Sequence, residues 1–68
     1  MTVVNQVKQT LAGLKSAQAS LETFALQTDN QQAKQTFQTC AQQTQTIVDS
    51  INSRLQEIQQ EEPQYNQQ

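Results

Sequence analysis

Histidine and tryptophan are missing from this 68-residue chain, and cysteine, glycine, proline, methionine and tyrosine occur once each. A lone Cys40 excludes an internal disulfide. Without histidine neither the usual zinc-ligand patterns nor the Glu-x-x-His signature of di-iron bundles can be written. Charge is scarce too: four lysines and arginines stand against six acidic residues, a net charge of −2, with no basic cluster to neutralise a run of phosphates. Nucleic acid is therefore not an expected partner. No stretch approaches the ~18 consecutive apolar residues of a membrane span, and the N-terminus lacks the charged and then apolar pattern of a secretory signal. A soluble, cytoplasmic protein without direct membrane insertion is expected.

The same poverty bears on catalysis. Cys40 has no histidine in the chain to act as its base, so it is expected to be a small core residue rather than a nucleophile. Glu57, Glu61 and Glu62 fall near the end of a helical pattern with no pocket-forming element beside them, which fits a solvated acidic end better than a pair of working carboxylates. No enzyme, cofactor, metal or small-molecule substrate is expected.

What the chain has in quantity is glutamine, seventeen of 68 residues, with eight threonines beside it. A glutamine-rich chain can be disordered, but glutamine is also a good helix former, so the placement of the apolar residues decides. They are periodic. Val4, Val7, Leu11, Leu14, Leu21 and Ala25 recur at three- and four-residue steps, with Gln18 and Thr28 at the vacant steps. A second row runs through Ala33, Phe37, Cys40, Thr44, Ile47, Ile51 and Ile58, with Arg54 in its last gap and Leu55 beside it. Between the rows Thr28-Asp29-Asn30 is the turn-like cluster, where Asp29 and Gln32 have the spacing of a capping box. Thr2 is placed to cap the first helix, and Pro63 opposes continuation of the second.

The expected fold is therefore all-α: an antiparallel two-helix hairpin over residues 1–62, with helices at about 3–28 and 31–61 and a mobile tail at 63–68. If the chain reverses at Asp29, equal distances from that residue set Leu21 against Phe37, Leu14 against Thr44, Leu11 against Ile47 and Val7 against Ile51. Both rows then meet seam to seam. Gln18, Cys40 and Thr44 form a polar layer in the middle, of the kind that fixes register at some loss of stability.

Sixty-eight residues enclose little core, so support from a second subunit is expected. Val3, Ala17 and Phe24 flank the first seam, and Val48 and Leu55 flank the second; Tyr65 stands beside Pro63 in the tail. These six residues are the candidate interaction surface. Lysine stems could cover the flanks by snorkelling, but docking of a second hairpin into a homodimeric four-helix bundle is the expectation. Gly13, Ser16 and Ser20 make a small-residue stripe away from the seam, expected to be solvated.

The run from Thr2-Val3-Val4-Asn5-Gln6-Val7-Lys8 through Leu21-Glu22-Thr23-Phe24-Ala25-Leu26-Gln27-Thr28 is one part of a wider pattern. Together with Gln31-Gln32-Ala33-Lys34, Ala41-Gln42-Gln43-Thr44, Ile47-Val48-Asp49-Ser50 and Glu61-Glu62-Pro63-Gln64-Tyr65, it resembles the short Firmicutes proteins of domain of unknown function 1657. The resemblance implies a protein of spore-forming bacteria, of a kind found beside genes for spore inner-membrane channel proteins and sometimes joined to a membrane protein. It implies no enzymatic activity and no functional residue set. Two functions are expected: a self-associating interaction module that docks on a spore membrane protein, in the spore core or at the inner face of the membrane, or, from the glutamine load and low charge, a bulk spore constituent with a protective or amino-acid reserve role.

Overall fold

A computed structural model describes residues 2–61, with side chains at 3–60. Two helices, α1 (Thr2–Gln27) and α2 (Gln31–Glu61), pack antiparallel as a hairpin, and no strand occurs among the described residues. The helix bounds fall within a residue of the expected ones. Thr2 lies in the first turn of α1 rather than capping it from outside. The tail expected at 63–68 lies outside the described residues.

Three residues reverse the chain. The Thr28 amide still donates to the Phe24 carbonyl at 3.0 Å, which extends the helical pattern of α1 by one bond. The Thr28 hydroxyl then accepts the Asn30 amide at 3.2 Å. Asn30 opens α2: its side-chain Oδ1 accepts the Ala33 amide at 2.8 Å, and its carbonyl accepts the Lys34 amide at 2.9 Å. The N-cap is thus Asn30, not the expected Asp29. A capping oxygen must reach an amide two or three residues on while its own carbonyl takes the first helical bond, and Asn30 satisfies both conditions. Among the described residues none adopts positive φ, so the reversal needs no glycine.

Threonine is a poor residue for a helix interior because its hydroxyl competes for backbone groups. Here five hydroxyls return to the carbonyl four residues back: Thr10 to Gln6, Thr23 to Ala19, Thr36 to Gln32, Thr44 to Cys40 and Thr46 to Gln42. Each closes its competing donor inside its own helix. The threonine content is thereby compatible with two long helices.

The seam of α1 is the expected one. Val4, Leu11 and Ala25 are buried, and Val7, Leu14, Gln18, Leu21 and Thr28 are half-buried. The seam of α2 is rotated by part of a turn. Phe37, Thr44, Ile51 and Ile58 face inward as expected, but the alternate layers are Ala41, Val48 and Leu55, each no more than 5% exposed. Cys40 and Ile47 move to the flank, Ile47 being 49% exposed, and Arg54 points to solvent.

The lean of helical side chains accounts for the direction of this shift. Side chains tilt toward the N-terminus of their own helix, covering surface about one position back from their Cα. On α1 they lean away from the turn, and on α2 toward it. Contacting residues therefore carry higher numbers than equal distance from Asp29 provides. The two direct side-chain contacts agree: Phe24 meets Phe37 where equal distance gives Lys34, and Gln18 meets Gln45 where it gives Cys40. Rotation also places Leu55, rather than the Arg54 guanidinium, in the dry layer, which avoids a buried unpaired charge.

Val4, Leu11, Val48 and Leu55 form the buried cluster toward the open end, with Val7, Leu14, Ile51 and Ile58 packed against it. At the turn end Phe24 and Phe37 stack edge to face, centroids 5.8 Å apart at 64°. Leu11→Ala and Leu55→Ala are each expected to cost about 2–5 kcal/mol in urea unfolding of dilute protein. Ile47→Ala should cost a small fraction of that, and equal losses at Leu55 and Ile47 would restore the unrotated seam.

Candidate interaction surfaces

With the seam fixed, each side of the hairpin is built from one flank of each helix. On the first side Lys8, Lys15 and Glu22 of α1 adjoin Gln38, Gln45, Asn52 and Gln59 of α2. An open groove on this side is lined by Gln18, Glu22, Gln38, Ala41, Gln42 and Gln45. Across it Gln18 Nε2 donates to Gln45 Oε1 at 2.8 Å, and Gln45 Nε2 donates to Asp49 Oδ1 at 2.8 Å. The order of donors follows from the end of the relay. An ionised carboxylate only accepts, so Asp49 draws the Gln45 NH2 and leaves the Gln45 oxygen for Gln18.

Gln18 and Thr44 therefore make up the expected polar layer, with Ala41 in place of Cys40. The chemistry available on this side is hydrogen bonding by amides. Among the described residues no three His, Cys, Asp or Glu side chains gather where they could hold a metal ion.

The second side is apolar. Val3, Thr10, Ala17 and Phe24 of α1 run beside Ala33, Cys40, Ile47 and Arg54 of α2. Val3 is 55% exposed, Phe24 47% and Ile47 49%. Ala17 is exposed, whereas Ala33 and Cys40 are half-buried. The one formal charge among these eight is Arg54, whose guanidinium donates to Glu57 Oε1 at 3.1 Å in an exposed i, i+3 pair. Such a pair adds little stability.

Of the expected interaction residues, Val3, Ala17 and Phe24 lie together on this side. Val48 and Leu55 do not: both are buried between the helices and are unavailable to a partner. Their assignment to a flank depended on the unrotated seam. Tyr65 lies outside the described residues. Sequence reasoning missed Ile47, which it placed in the core, and the signal that could have found it was Arg54, a charge seven residues on in the same row. It also missed Leu26, 80% exposed near the end of α1, an apolar residue out of period whose isolation is ordinary.

Gly13, Ser16 and Ser20 are exposed, and a Cβ added at Gly13 would meet nothing within 4 Å.

Over residues 7–55 the chain matches a family described as protein of unknown function (DUF1657). No curated protein and no solved structure matches it.

Gln18→Leu is expected to raise the urea midpoint. A fully buried leucine contributes about 1.5–3 kcal/mol; at this half-buried position roughly half of that stands against roughly 0.5–1.5 kcal/mol for the amide hydrogen bond it removes, so the expected rise is small. A lower midpoint would mean that the Gln18–Gln45 link outweighs packing. Gly13→Ala should stabilise α1 by about 0.5–1 kcal/mol, and destabilisation would reveal a covered surface at the small-residue stripe.

Proposed function

The chain belongs to the DUF1657 family, and on that premise we propose that it is a non-catalytic helical interaction module which associates through its apolar side. The observation that carries this reading is the alignment of Val3, Ile47 and Phe24, three large exposed apolar residues spaced along the length of one side with Ala17, Ala33 and Cys40 between them, on a hairpin whose other side is amide and charge. A continuous apolar strip left open by a monomer, unlike a single exposed side chain, supports a site of association. The hydrogen-bonding groove of glutamines offers neither a nucleophile with its base nor a metal site, which supports a role in binding rather than catalysis.

The sequence resemblance supports the setting: spore-forming bacteria, with a spore inner-membrane protein as the partner of the assembled module and the spore core or the inner face of that membrane as its place. Among the described residues no helix is long and apolar enough to cross a membrane, so the module is proposed to reach the membrane through a protein. A bulk role, protective or as an amino-acid reserve, is the second reading, favoured by seventeen glutamines in 68 residues. Ordered seams favour the module, because a reserve has no need to fold.

Fractionation of sporulating cells that express the tagged chain separates the two. The module is expected to sediment with spore membranes in amounts comparable to its partner, and Phe24→Glu to release it into the supernatant. Abundance among the most plentiful spore proteins, loss during germination and indifference to Phe24→Glu would instead establish the reserve.

A further inference from the structure

A second copy of this chain fits the apolar side, and we propose that two hairpins join there about a two-fold axis, antiparallel, with Ile47 beside the axis. This rests on reading that side as an association surface, and it names the occupant and its orientation.

Three observations carry it. The first is the thinness of the core: among the described residues six are buried, and none of them has less than 2% exposure. A chain of this size with so little enclosed needs further burial, and Val3, Phe24 and Ile47 are the side chains placed to supply it. The second is area. The Cα trace spans 51 × 15 × 11 Å, so one side projects on the order of 500–800 Å² per copy, a footprint of the size needed for the roughly 800 Å² per partner of a stable interface. A four-helix bundle results.

The third observation is charge, and it selects the orientation. Among the described residues of the two rows on this side Arg54 is the charged one; it lies toward the open end of the hairpin and its exposed partner is Glu57. Parallel copies would bring the two guanidiniums to one height, each with only its own exposed Glu57 carboxylate as partner, and like charges so placed cost stability. Antiparallel copies separate them and bring Arg54 of one to the level of Phe24 of the other, where a cation over a ring face is attracted. Ile47 adjoins Thr46, the middle residue of α2. An interface of this symmetry uses the same patch twice, so a side chain at half height meets its own copy, and Ile47 is that side chain.

Sedimentation and disulfide trapping test the proposal together. The full chain is expected to sediment as a dimer at tens of micromolar, with an unfolding midpoint that rises with concentration. Ile47→Glu should weaken association at least about tenfold while keeping its helical circular dichroism. In a Cys40→Ser background, Ile47→Cys should oxidise readily to a covalent dimer, whereas Phe24→Cys and Arg54→Cys should not. Covalent dimers from all three positions would mean a parallel pair and overturn the proposal. So would a dimer unaffected by Ile47→Glu, which would place the interface elsewhere. If Ile47→Glu loses its helix, the trapping pattern alone decides. A wild type that stays monomeric overturns the dimer while leaving the module reading intact if Phe24→Glu still releases the chain from membranes. Loss of neither association leaves both refuted.

Discussion

Two helices that carry one apolar row each can hide those rows only against one another, and the lean of their side chains decides which residues meet. In an antiparallel pair the two sets of side chains tilt in opposite directions along the common axis. That displacement selects Ala41, Val48 and Leu55 over Cys40, Ile47 and Arg54 as the inner layers of α2. From it follow the sides of the hairpin. Once Leu55 is inside, Ile47 and Cys40 are carried round to join Val3, Ala17 and Phe24, while Gln38 and Gln45 come to face Lys15 and Glu22. A rotation of part of a turn thus separates an apolar side from an amide side.

The polar layer has a similar reach. Leu14 and Leu21 are separated by Gln18, and Val48 and Phe37 by Thr44 and Ala41, so the dry contacts divide into a cluster at the open end and an aromatic pair at the turn. Gln18 resolves its burial by turning outward to Gln45, which is in turn held by Asp49. Thr44 resolves its own by bonding back to the Cys40 carbonyl. Neither polar group is stranded: among the described residues no buried side-chain nitrogen or oxygen lacks a partner. The fold therefore accepts glutamine and threonine in its middle at little penalty, provided each has a local exit for its hydrogen bonds.

Much of this was legible from spacing alone. Two helices, the reversal at residues 28–30, the whole seam of α1 and half the seam of α2 follow from three- and four-residue steps, which depend on helix geometry and little else. What failed was the choice between two heptad rows in α2 that share Phe37, Thr44, Ile51 and Ile58. One row adds Ala33, Cys40, Ile47 and Arg54, and the other Lys34, Ala41, Val48 and Leu55. Their apolar content is nearly equal, and periodicity cannot separate them. Equal distance from Asp29 agrees with the first row, but it ignores the lean of the side chains. The first row also puts Val48 and Leu55 on a flank, where the structure buries them, whereas the exposure of Val3, Ala17 and Phe24 rests on the seam of α1 alone. The cap was misplaced by one residue for a related reason: Asp29 and Asn30 are both capping residues, and only the geometry of the reversal distinguishes them.

The amide character of the polar side also governs how the molecule meets others. Fast association between proteins generally comes from long-range electrostatic steering, which needs strong fields of one sign and fades as ions screen them. A net charge of −2 spread over 68 residues, with glutamine where other surfaces carry lysine and glutamate, provides almost no such field. Encounters with the apolar side are therefore governed by diffusion and by the shedding of water at contact, at the unsteered rates of neutral surfaces. Those rates change little with ionic strength, so in the association proposed above affinity follows from how long a pair stays together rather than from how quickly it forms.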